Sequence, residues 1–244
     1  MWILFAFGSA LFAGITAILA KIGIKHTDSN IATAIRTVII LIFSWLMVLI
    51  VGSQANLPDI SRRTLLFLIL SGFATGGSWL CYFKALQLGN VNKVTPVDKS
   101  STILTMILAF LVLGERLTMI KGICIVVIGA GTFFMISKKK IEERQGRGNL
   151  WLLFAVFSAV FASLTSILGK IGIEGVESNL GTAIRTIVVL IMAWMLVFVT
   201  RKQKELLQID KKSMTFICLS GITTGLSWLC YYKALQVGQA SIVV

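Results

Sequence analysis

The chain alternates between long apolar blocks and short polar connectors. The blocks fall at 2–20, 31–51, 65–86, 94–113, 119–137, 150–169, 179–200 and 214–235. Each is about 18–22 residues long, the length at which an α-helix crosses roughly 30 Å of hydrocarbon. A buried core helix is usually shorter and amphipathic. Eight such blocks in series would leave no water-soluble surface, so the pattern predicts an all-α membrane protein, a polytopic bundle of about eight spans. The first block lacks a basic segment before it and is nearly repeated in the middle of the chain, so it is expected to be a retained span rather than a signal peptide.

The same pattern occurs twice. Residues from Trp2 align with residues from Trp151 at a constant offset of 149, without a gap, and about half of the paired positions are identical. ILAKIGIK at Ile18 returns as ILGKIGIE at Ile167, and SNIATAIRT at Ser29 returns as SNLGTAIRT at Ser178. SGFATGGSWLCYFKALQLG at Ser71 returns as SGITTGLSWLCYYKALQVG at Ser220. Five blocks belong to the first copy. An odd number of spans makes the second copy start on the opposite side of the membrane, so the copies are expected to be inverted repeats. Many secondary transporters use that arrangement to build a midplane site with two alternating openings, and channels and structural proteins show it too. Val244 aligns with Thr95, so counterparts of the fourth and fifth spans are not in the sequence. We expect either a longer chain or a second subunit, such as a homo-oligomer partner, to supply them.

Composition narrows the alternatives. The 244 residues are 57% hydrophobic and 14% charged, with a formal net charge of +13. Lys and Arg lie mostly between the blocks, as in SKKKIEERQGRGN at Ser137 and RKQKELLQIDKK at Arg201. That is the positive-inside bias of a membrane protein rather than a nucleic-acid surface, for which no basic-plus-aromatic motif is present. The bias puts connectors 138–149 and 201–213 in the cytoplasm and the N-terminus outside. Cys81, Cys124, Cys218 and Cys230 lie inside apolar blocks without CxxC spacing, and His26 is the single histidine. No metal or cofactor is called for. A phosphate-binding GxxxxGK[ST] loop is missing, as are paired intramembrane aspartates, so enzyme and ATP-driven pump readings have no support.

The stretch from Leu108 to Met135, containing LGERLT at Leu113, resembles the end of an EamA repeat of the drug/metabolite transporter superfamily. ILAKIGIK followed by ATAIRT resembles the end of that family's first span and its Arg-bearing second, and YFKALQLG at Tyr82 its third-span ending. The resemblance covers nearly all of 2–137 and then 151–244. It implies two EamA repeats, ten spans in a complete member, both termini in the cytoplasm, the reverse of the N-terminal orientation that the charge bias gives, and alternating-access transport of amino-acid- or drug-like solutes across the cell membrane. The expected organisation is a first repeat over 1–140, a basic linker over 141–149 and an incomplete second repeat over 150–244. The alternative is a non-transporting scaffold or regulatory subunit that pairs with a complete carrier. The expected partners are the lipid bilayer and a small-molecule substrate.

Candidate site residues follow from polar and aromatic positions inside the spans. Arg36 and Arg185 lie about a turn and a half inside spans two and seven. They either attract an anionic group or hold a carboxylate, or they snorkel to the interface. Asp98, after Pro96, is the acidic residue inside a span. It is the candidate proton carrier, with stabilisation of a helix N-terminus as the alternative. Trp79 and Tyr82, with Trp228 and Tyr231, either line a substrate path, together with Ser78 and Ser227, or form an interfacial aromatic belt. Gly72 with Gly76, and Gly221 with Gly225, are GxxxG pairs expected to pack helices closely. Lys21, Lys84, Lys170 and Lys233 end their spans and are expected to snorkel.

Overall fold

The computed structural model describes residues 2–24, 27–89, 91–116, 118–137 and 150–243. The basic linker 141–149 and His26 lie outside them. The helices in chain order are α1 (Trp2–Gly23), α2 (Ser29–Val51), α3 (Arg62–Leu88), α4 (Val91–Lys99), α5 (Ser101–Leu113) and α6 (Met119–Ser137). They continue with α7 (Leu150–Ile173), α8 (Ser178–Val199), α9 (Lys211–Val237) and α10 (Ala240–Val243). No strand occurs among the described residues. Seven helical segments among them are long and apolar enough to cross a membrane, α4 and α5 together making one, and α6 adds a shorter apolar stretch over Met119–Phe134.

Helix starts are set by acceptor side chains at matching positions. Asp28 accepts from the Asn30 and Ile31 amides at the start of α2. Glu177, 149 residues on, accepts from Asn179 and Leu180 at the start of α8. Each satisfies amides that the first helical turn leaves without a partner. Asp28 also pairs with Lys202 beyond α8, and that carboxylate raises the Lys202 pKa. Gly52 and Gly114 end α2 and α5 in the left-handed conformation that glycine adopts without steric cost.

Span four departs from the expected single helix. It divides at Ser100 into α4 and α5. The Ser100 amide is shared between Pro96 O (3.1 Å) and Val97 O (3.2 Å), while the Ser100 hydroxyl donates to Val97 O (2.6 Å). A side chain that competes for backbone carbonyls tightens the turn toward 3₁₀ geometry and interrupts the helix.

Large apolar faces lie on the outside, while small polar side chains share the interior with an apolar core. Leu4, Phe7, Met119 and Val126 are each at least 70% exposed, and faces of this kind are what hydrocarbon solvates. Serines and threonines are buried instead, among them Thr37, Ser71, Thr75, Ser158, Thr186 and Thr224. Each hydroxyl that back-bonds to its own helix, as Thr37 does to Thr33 O and Thr186 to Thr182 O, is spared an unsatisfied state in a dry interior.

The chain forms two compact units. The first comprises Met1–Phe73, Gly169–Gly238 and Val243. In it α9 packs on α1, α2 and α8. Its core includes Val48, Leu68, Leu180 and Ala183. The second comprises Ala74–Leu168, Gln239–Ile242 and Val244. There Ala85, Val94, Val97 and Ala155 form a core flanked by Tyr82, Trp151 and Phe154. Both units mix residues from the two halves of the sequence.

Candidate functional site

One face of α9 organises the first unit's polar interior. Thr224, Trp228 and Tyr232 recur every four residues, so they line a single stripe about 12 Å long. Arg36 reaches this stripe from α2, its Nη2 donating to Thr224 Oγ1 at 2.7 Å. Its Nε is buried and has no hydrogen-bond partner. Arg185 reaches the same stripe from α8. Its guanidinium carbon lies 4.9 Å from the Trp228 ring centroid and 4.3 Å from that of Tyr232. Arg185 and Tyr232 are each 1% exposed. Both rings are within cation–π range, a contribution of about 2 kcal/mol when desolvated. Arg185 is enclosed within the first unit rather than extended to its surface. The Tyr232 hydroxyl pairs with Ser71 of α3.

The other residues singled out in the sequence fall differently. Tyr231 meets Tyr232 edge-on, with ring centroids 5.2 Å apart. Ser227 donates to Ser9 O of α1 at 2.9 Å. Gly72 and Gly221 sit where helices cross. A Cβ on Gly72 would come within 2.7 Å of Val188 Cβ and 3.0 Å of Arg185 O. One on Gly221 would meet Ile39 Cβ at 3.0 Å and Arg36 O at 3.3 Å. Gly225 lies against Phe43, and Gly76 is buried. The two arginine-bearing turns are therefore each held against a glycine.

The second unit holds Asp98 in a serine cluster. Ser158 Oγ of α7 donates to Asp98 Oδ1 at 2.6 Å, with Ser78 O of α3 a second acceptor at 3.0 Å. Ser78 Oγ donates to Ser158 O at 3.1 Å. Lys99 lies 3.8 Å from Asp98 but is 77% exposed, so the pairing is weak. Asp98 stands in the last turn of α4, two residues before Ser100 at the start of α5, and its side chain reaches α7. Tyr82 shares a hydrogen bond with Thr95 at 3.3 Å, and Trp79 is half-buried.

Several residues here were not singled out in the sequence. Thr224 and Tyr232 share the helical spacing of Trp228, and that stripe was the available signal. Ser158 is the copy of Ser9, visible only through the offset of 149. Lys170, expected to snorkel, donates instead to the C-terminal carbonyls of α9 at Leu235 (2.6 Å) and Gly238 (3.0 Å). Glu115, inside LGERLT, accepts from the Ala240 and Ser241 amides at the start of α10 and pairs with Lys121 at 3.6 Å. No cluster of metal-binding side chains occurs among the described residues.

Comparison with known proteins adds identity to this geometry. The EamA-like transporter family profile matches residues 1–137 and 149–244. An uncharacterised transporter in the cobO 3′ region of Sinorhizobium sp. is 42% identical over 134 residues, which cover 55% of this chain and 95% of that relative.

Proposed function

The chain belongs to the EamA-like transporter family, and from that premise we propose that it carries small amino-acid- or drug-like solutes across the cell membrane by alternating access. Membership makes it a membrane transporter of the drug/metabolite type and not an enzyme. In this reading residues 1–140 and 150–244 are inverted repeats joined by the linker 141–149. A relative of which 134 residues are 95% is about one repeat long, which supports the repeat as the unit.

The observation that carries the reading is a set of contacts made twice. Ser227 bonds Ser9, and Ser78 bonds Ser158. Thr224 meets Thr16, and Thr75 meets Thr165. Gly221 faces Arg36 O, and Gly72 faces Arg185 O. Gly23 faces Ile217, and Gly172 faces Leu68. Every pair maps onto its companion by the offset of 149. In each pair a third helix of one copy grips a first or second helix of the other. Two interchangeable halves of this kind give two conformations of equal construction that open to opposite sides.

In the first unit the substrate path runs along Arg36, Arg185, Trp228 and Tyr232. Asp98 carries the coupling proton, since protonating it converts the acceptor of the Ser158 hydroxyl into a donor and rearranges the serine cluster. The test is solute uptake by the purified chain in liposomes under an imposed proton gradient. Uptake is expected to follow the gradient, and Asp98→Asn to lose that pH dependence. Unchanged pH dependence in the variant removes Asp98 from coupling. Flux by the purified chain alone excludes a purely scaffolding role, and neither flux nor ligand stabilisation across a broad metabolite panel overturns the transport reading.

A further inference from the structure

We infer that the Asp28–Lys202 ion pair is a latch that holds one end of the transport pathway closed, and that the opposite end has no such latch, so the two states of the cycle differ in stability. The inference rests on the transport reading and adds to it the contact that sets which state is favoured.

Helices α2 and α8 pack against each other in the first unit. Arg36 stands about two turns beyond Asp28 on α2, and Arg185 about two turns beyond Glu177 on α8. In the transport reading, opening the pathway from either end means that α2 and α8 part at that end. The apolar contacts at the two ends are copies. At one, Ile31, Ala34 and Val197 pack with Trp194 and Ile209. At the other, Leu180, Ala183 and Val48 pack with Trp45 and Ile60. The offset of 149 relates each residue to its companion, so packing alone makes the two ends about equally hard to open.

Charge separates them. Asp28, at the start of α2, accepts from the Lys202 ammonium just past the end of α8. The carboxylate side chain is 12% exposed and the lysine 33%, so water screens this pair less than it screens a surface pair. Glu205 adds a weaker attraction from an exposed position. The copies of Asp28 and Lys202 are Glu177 and Ser53. Among the described residues, Glu177 accepts only from Ser178, Asn179 and Leu180 of the helix it caps. Ser53 is 4% exposed, and its hydroxyl has no partner among them. Both acidic residues cap their helices, yet Asp28 alone also reaches across to the neighbouring one.

The backbone before the lysine carries a second difference. Arg201 has φ 55°, and its copy Gly52 has φ 77°. Glycine takes this left-handed conformation freely, whereas a side chain there crowds the following carbonyl. Strain of this kind persists where the surroundings hold it and clusters at functional positions. Here the strained turn delivers Lys202 to Asp28. At Gly52, where no ion pair follows, the same turn is unstrained.

The experiment uses the full chain with Cys81, Cys124, Cys218 and Cys230 replaced by alanine. Thr224→Cys is the reporter, labelled by an impermeant thiol reagent in right-side-out and in inside-out vesicles. In a separate variant Lys204→Cys, in the exposed connector after α8, identifies which vesicle face bears the latch. Asp28→Asn removes the charge and keeps a capping acceptor. Lys202→Gln removes the cation and touches no cap. Each is expected to raise labelling of the reporter from the latched face, relative to the other face, by about three- to tenfold, and the double variant to do no more than either alone. Glu177→Gln, the matched change at the opposite end, is expected to leave the ratio unchanged.

An unchanged ratio in either Asp28→Asn or Lys202→Gln overturns the inference. So does an equal rise at both faces, which marks general loosening, or a shift in Glu177→Gln as large as that in Asp28→Asn. Because Lys202→Gln leaves the start of α2 intact, the test survives a fold lost in Asp28→Asn. Labelling from one face only, in the parent and in every variant, strikes alternating access itself and so the transport reading rather than the latch.

Discussion

Gly72 shows how one missing methyl group sets a helix crossing. With no side chain there, α3 approaches α8 until Val188 and the Arg185 carbonyl occupy the space a Cβ would need. Within lipid, association depends on this close packing, because hydrocarbon offers helices no hydrophobic reward for leaving it. Gly14 is the useful contrast, with nothing within 4 Å of its would-be Cβ. Gly72→Ala is expected to cost about 1–3 kcal/mol through overpacking. Gly14→Ala is expected to be neutral or to gain about 0.5–1 kcal/mol from helix propensity. Thermal unfolding of the two variants in one detergent measures the difference, and equal effects would mean that the crossing is not tightly packed.

Among the helices, the LGERLT turn has a consequence beyond linking α5 to α6. Gly114 ends α5 with φ 66°. Glu115 then points at the first amides of α10, where a carboxylate satisfies donors and favours the helix dipole. Lys121 closes the cluster by donating to Ser241 Oγ at 2.6 Å and Gln239 Oε1 at 2.9 Å. Glu115→Ala is expected to speed hydrogen exchange of the Ala240 and Ser241 amides about fivefold, the equivalent of a lost cap near 1 kcal/mol. Unchanged exchange would show that α10 holds its start without Glu115.

The span boundaries were legible in the sequence because bilayer thickness imposes a length and the connectors carry the charge. The apolar block at 31–51 became α2 over Ser29–Val51, and that at 119–137 became α6. Less legible was anything decided by a distant partner. The break at Ser100 depends on a local contest for the Val97 carbonyl that hydropathy does not register. Lys170 sits at a span end like any snorkelling lysine, and only the arrival of the α9 C-terminus gives it carbonyls to bind. At the site, Arg36, Arg185 and Trp228 stood out as polar or aromatic residues in apolar blocks. Thr224 and Tyr232 did not, because an isolated hydroxyl on a helix carries no signal until the helix facing it is known.

Across the whole molecule, the offset of 149 links sequence to contacts. It relates caps Asp28 and Glu177, crossings Gly72 and Gly221, and serine pairs Ser78–Ser158 and Ser227–Ser9. Duplication alone explains similar sequences. It does not by itself require each copy's third helix to bind the other copy's first and second, and that exchange is what a two-state carrier needs. Alternating access is the central claim, and its most direct test is the exposure of a single cysteine at Thr224→Cys, with Cys81, Cys124, Cys218 and Cys230 replaced by alanine. A membrane-impermeant thiol reagent is applied to right-side-out and to inside-out vesicles. The account predicts labelling from both faces, with the balance shifted by a solute gradient. Labelling from one face only, whatever the gradient, would contradict it.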